Sequence, residues 1–103
     1  MSKYQPLIDY YYHIADILKD RLPHIPNVQL TYGKTYYGSY WKKDGRSSIS
    51  LSVVRCWPID RDEVVDTICH ELAHTIWPKH NQLHTATTKH FVALVNQVWS
   101  KVA

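Results

Sequence analysis

The chain of 103 residues carries 2 cysteines, Cys56 and Cys69, and they form no CxxC pair. So sparse a set excludes a disulfide-stapled scaffold and a cysteine metal clip, which leaves both as reduced, packed thiols. The N-terminus lacks a basic stretch followed by an apolar run, so no signal peptide is expected, and no apolar segment is long enough to span a bilayer. Repeats, low-complexity tracts and linkers are missing as well. The expectation is one domain over residues 1–103, cytoplasmic, with no membrane partner.

Strong charge of either sign is also lacking. The net charge is +3, too small for a dedicated polyanion binder. Lys34, Lys42, Lys43 and Arg46 do fall among Tyr36, Tyr37, Tyr40 and Trp41. Interleaved cations and aromatics can stack single-stranded bases, so nucleic-acid association is a weakly supported alternative. The preferred reading of the same residues is a strand pair with a solvated turn.

What is present is periodicity. Leu7, Tyr10, Tyr11, Ile14, Ile17, Leu18 and Leu22 follow a helical stripe over residues 6–22. Pro23 and Pro26 close it, and Val28, Leu30 and Tyr32 alternate with polar residues as a half-buried strand does. Residues 35–41 are aromatic and β-branched, Lys42-Lys43-Asp44-Gly45 has turn chemistry, and Ile49, Leu51 and Val53 alternate with serines, predicting a hairpin. These strands are too close together for crossover helices, so a small, mainly antiparallel sheet is expected.

Asp60 and Glu63 predict the capped start of a helix carrying Val64, Val65, Ile68, Leu72 and Ile76, ended by Trp77-Pro78. A last helix over residues 81–101 places Leu83, Thr87, Phe91, Leu94, Val95 and Val98 on one stripe. The fold class is α+β: N-terminal helix, three-stranded sheet, motif helix and C-terminal helix, a minimal zincin-like core.

The motif helix contains His70-Glu71-Leu72-Ala73-His74, an HExxH pattern. At about 100° per residue, its histidines share one helix face a turn apart and reach one ion together. Imidazole nitrogen suits Zn²⁺, and a hydrolytic site needs three protein ligands so that a fourth position stays open to water. The water's pKa then falls to about 7, and Glu71 serves as base towards the water and acid towards the leaving amine. A zinc-dependent metallopeptidase acting on a protein or peptide substrate is therefore the leading expectation.

The third ligand must come from beyond the helix. His80, just past the Trp77-Pro78 break, is the first choice, and His84 the second. His90 is assigned to the surface or a helix interface, and His13 and His24 to structural or solvated roles. Cys69, next to His70, points away from the ligand face. Asp66, one turn before His70, is a candidate orienting carboxylate. Were both His80 and His84 to close the coordination shell, the protein would be a non-catalytic, zinc-stabilised module.

Residues 67–74, Thr-Ile-Cys-His-Glu-Leu-Ala-His, the histidines after them and Phe91-Val92-Ala93-Leu94-Val95 resemble the SprT-like zinc metallopeptidases and their WLM-domain and YgjP-like relatives. Gly38-Ser39-Tyr40 and Ile49-Ser50-Leu51-Ser52 resemble that family's glycine-bearing strand and the strand before its motif helix; the similarity spans residues 28–98. The resemblance implies a SprT-like core and proteolysis often directed at DNA-bound proteins, though the cysteine-bearing zinc ribbon of many members is lacking. It implies His80 as third ligand by the spacing in WLM and YgjP-like proteins. Spacing from the final-helix aromatic residue instead falls on Thr87, which is no substitute for imidazole. Substrate is expected to add as a strand to the edge around residues 36–41 or 49–53, with a tyrosine assisting the oxyanion.

Overall fold

The computed structural model describes residues 3–99. Helix α1 (Gln5–Leu18) begins with Pro6 in its first turn, where a missing N–H costs nothing, and runs into a short 3₁₀ turn at Lys19–Arg21. Its stripe of Leu7, Tyr11, Ile14, Ala15 and Leu18 is buried. Strands β1 (Asn27–Thr31), β2 (Gly38–Lys43) and β3 (Arg46–Ser52) follow. A single helical turn, α2 (Val53–Cys56), comes next, with the Ser52 hydroxyl accepting the Arg55 N–H at its start. Helices α3 (Arg61–Ala73) and α4 (Gln82–Val98) complete the chain.

The fold class agrees with the sequence reading, and the sheet is mixed. Its order is β1-β3-β2, with β1 parallel and β2 antiparallel to β3. The β2–β3 hairpin turns on Asp44 and Gly45, both at positive φ (53° and 77°), a pattern suited to the right-handed twist of paired strands. The strands therefore run through Lys42 and Lys43, and only the last two residues of the expected turn segment make the turn. The connection of residues 32–37 carries the chain past β3 to the far edge of the sheet, so β1 joins from the other side and in parallel.

The pleat sorts the sheet into two faces. Ile49 and Leu51 are fully buried, with Val28, Leu30 and Tyr40 packed around the same core. The other face is lined with Ser48, Ser50 and Ser52 of β3, and the Ser39 and Ser50 hydroxyls pair at 2.6 Å. Helices α1, α3 and α4 form the second layer and supply Ile68, Leu72, Phe91 and Val95. Each such side chain contributes about 1.5–3 kcal/mol on burial.

Helix α3 starts as its sequence predicts, with the Asp60 carboxylate accepting the N–H groups of Asp62 and Glu63. Glu63 does not close the capping box; it accepts the Tyr37 hydroxyl at 3.1 Å instead. In α4 the buried stripe is His84, Thr88, Phe91 and Val95, whereas Leu83 (54 % exposed) and Val98 (68 %) face outward. In the first turns the expected stripe is thus turned by one residue, from Leu83 and Thr87 to His84 and Thr88, while the expected Phe91 and Val95 are buried and Leu94 packs against the core. Two polar bonds fix this rotation: His84 reaches the His70 carbonyl, and Trp77 donates its indole N–H to the Thr87 hydroxyl. The expected end of this helix at Lys101 lies outside the described residues. Among the described residues no helix is long and apolar enough to cross a membrane.

Candidate metal centre

The end of α3 makes the site. The His74 N–H bonds to Glu71 and Leu72 carbonyls rather than continuing the α-helical ladder to His70. The His70 carbonyl is left as one of the orphan acceptors of a helix C-terminus. His84, only 2 % exposed, supplies the donor, with Nε2 at 2.9 Å from that oxygen. The N–H groups of Thr75, Ile76 and Trp77 then continue a tight turn that swings residues 78–81 back over the motif face.

This turn brings His80 to the motif histidines. Its Nε2 lies 3.1 Å from Nε2 of His70 and 3.1 Å from Nε2 of His74. The His74 Nδ1–H donates to the Trp77 carbonyl at 3.0 Å, which fixes the tautomer and leaves the Nε2 lone pair facing His80. Thr87, where one spacing rule from the family resemblance falls, accepts the Trp77 indole N–H at 2.9 Å. It thereby anchors the turn that carries His80 to α4.

His84 also stands close. The ligand nitrogens of His70, His74 and His84 lie within 4.8 Å of one another, so three close histidines could hold a metal ion. The His84 ring lies nearly flat on that of His74, with centroids 4.1 Å apart and planes at 25°. His70 and His74 are almost perpendicular, at 86°. Burial, and then the neighbouring histidines, push the His70 pKa down to about 4. His74 is lowered as well, mainly by burial, against the opposing pull of its bond to Trp77. His70 is therefore a neutral imidazole at pH 7, the form that ligates metal.

Glu71 is 6 % exposed, and burial raises its carboxyl pKa to about 7. It lines a cavity of ≈ 410 Å³ with His70, His74, His80, Gly38 and Tyr40, and Tyr36 also borders this space. Tyr40 stacks on His74, with centroids 6.1 Å apart. Of the strands named as substrate edges, β3 is central and β2 forms the free edge beside the cavity. The Tyr37 carbonyl accepts the Ser52 N–H at 2.8 Å, and by the antiparallel alternation the main-chain groups of Gly38 and Tyr40 then point outward.

Gly38 is a close-approach position. A Cβ there would stand 2.9 Å from the Ser50 carbonyl oxygen, 3.2 Å from Thr67 Cγ2 and 3.5 Å from Glu71 Cγ. The absence of a side chain lets β2 lie directly over Glu71. Gly38→Ala is expected to lower stability by about 1–3 kcal/mol through overpacking, read as a lower urea midpoint at unchanged m-value. An unchanged midpoint would contradict this packing.

The remaining sequence candidates are dispersed. Asp66 is exposed and lines a small cleft with Tyr37, Glu63 and Thr67, and among the described residues no hydrogen bond joins it to His70. His90 and His24 are exposed, and His13 packs edge-on against Trp99. Cys56 and Cys69 are buried free thiols, with pKa values pushed by burial up to about 11 and about 12. The aromatic and basic residues of β2 do not form one stacking face, since the pleat sends Tyr40 inward to His74 and Trp41 to the opposite side. Sequence reasoning missed the Trp77 carbonyl and the capping role of His84, because both arise from how a helix ends. No family model, no curated protein and no solved structure matches the chain.

Proposed function

We propose that the protein is a zinc-dependent metallopeptidase of SprT-like design, with His70, His74 and His80 as ligands and Glu71 as general base and acid. The observation that carries this reading is the position of the His80 Nε2, 3.1 Å from both motif Nε2 atoms and beside the buried Glu71 carboxylate. Two nitrogens bound to one tetrahedral zinc at about 2.0–2.1 Å are separated by about 3.3 Å, which these spacings approach. Lone pairs held so close repel unless a proton or a cation lies among them.

His84 fits the ligand role less well. An imidazole holds a metal in its own ring plane, and the near-parallel, stacked planes of His74 and His84 do not converge on a common ion. Its Nε2 is also committed to the His70 carbonyl. These facts favour a three-histidine site with an open fourth position over a closed structural one.

A zinc ion, when bound, polarises the scissile carbonyl and brings a water's pKa near 7. Glu71, held against the β2 edge by the close approach at Gly38, accepts the proton of the attacking water and returns it to the leaving amine. Its pKa of about 7 reflects burial alone, and a neighbouring cation favours the ionised form that a base requires. The outward main-chain groups of Gly38 and Tyr40 suit an extended peptide added to the sheet edge. Purified protein loaded with zinc is expected to cleave an unstructured polypeptide, to lose that activity to a chelator and to regain it with zinc. Stoichiometric zinc without cleavage of any polypeptide would favour the structural alternative.

A further inference from the structure

The space around His80 has two sides. One is the cavity bordered by β2; the other is a cleft of ≈ 510 Å³ lined by His80, Asn81, Gln82, Thr85, Ala86 and Lys89. His80 is the ridge they share. The two spaces adjoin at His80, next to the cavity that Gly38 and Tyr40 line. Among the described residues Lys89 is the only charged side chain lining the second cleft.

The charge distribution along the chain is one-sided. All 9 acidic residues lie at or before Glu71, and residues 72–103 contain none. The turn and helix that form the second cleft therefore bring Lys79 and Lys89 with no carboxylate of their own. Both are exposed, and among the described residues neither makes an ion pair. A solvated lysine beside a groove with no competing acid attracts anionic side chains and disfavours cationic ones.

We propose that the α4-side cleft receives the part of the substrate on one side of the scissile bond and selects acidic residues there through Lys89. This inference rests on the peptidase reading and names a substrate class for it: unstructured polypeptide with Asp or Glu on that side of the cleaved bond.

The test uses the zinc-loaded full chain and a set of otherwise identical peptides in which one Glu is moved through the positions flanking a single cleaved bond. Within each enzyme variant the readout is the ratio of kcat/KM for the acidic peptide to that for the neutral parent, which cancels any loss of folded protein. On one side of the bond only, the ratio is expected to be about 3–5, the size of one exposed ion pair, and to shrink with added salt. Lys89→Ala should bring it to about 1, and Lys89→Glu should move the preference to a peptide with Lys at that position. Cleavage without acidic preference, or a preference unmoved by Lys89→Glu, overturns the inference and leaves the peptidase reading standing. If no peptide is cleaved, the peptidase reading fails, and fluorescence anisotropy of the same peptides decides the cleft separately. Tighter binding of the acidic peptide, lost in Lys89→Glu, supports the cleft, and equal binding overturns it. Tighter binding of a single-stranded oligonucleotide than of the acidic peptide, lost in the same variant, also overturns it.

Discussion

Glu71→Gln is expected to abolish measurable peptide cleavage while leaving the protein folded and its zinc bound. Glutamine has nearly the same shape and fills the same buried position between α3 and Gly38, so neither core packing nor the histidine cluster needs to move. What is lost is the carboxylate that accepts a proton and returns it. A positioned acid–base group contributes about 10²–10⁴-fold to rate, and the fall in kcat is expected in that range. Cleavage assays beside zinc analysis of the same sample make the check. Activity within a few-fold of wild type would remove Glu71 from the chemistry, and loss of zinc together with activity would make it a structural residue.

The second large effect separates the two downstream histidines. His80→Ala removes an exposed side chain, so stability of the zinc-free protein should change little. Its zinc affinity should fall by more than the roughly 10–100-fold lost when a group that only orients a metal ligand is removed. His84→Ala is expected to do the reverse. It empties a buried position and strips the His70 carbonyl of its donor, at about 2–4 kcal/mol together. For a domain of this size each kcal/mol lowers Tm by about 4–8 °C. His84→Ala should therefore melt well below wild type while still taking up zinc at saturating concentration. Equal zinc affinities in His80→Ala and wild type would contradict the ligand assignment.

Much of this arrangement is legible in the sequence because it rests on local rules. The α1 stripe and the Asp60 cap are short-range signals that appear where the residues predict them, and the hairpin turns within the predicted segment 42–45, on its last two residues. The HExxH spacing alone brings His70 and His74 to one side of α3. The order of strands is not local: nothing in Val28, Leu30 or Tyr32 says that β1 pairs with β3, in parallel, rather than with its neighbour in the chain. Apolar periodicity places Phe91, Leu94 and Val95 on the inner face of α4 but sets its first turns one residue off, at Leu83 and Thr87 in place of His84 and Thr88. The deciding contacts are polar, from His84 to a helix-end carbonyl and from Trp77 to Thr87. Choosing between His80 and His84 needs that same helix end, since it frees the His70 carbonyl and turns the chain back.

The most direct measurement is a crystal structure of the zinc-loaded protein with anomalous data at the zinc edge. The account predicts one ion bound by Nε2 of His70, His74 and His80, a fourth position open to the cavity beside Glu71, and His84 still donating to the His70 carbonyl. An ion bound through His84, or one closed off by four histidines, would contradict it.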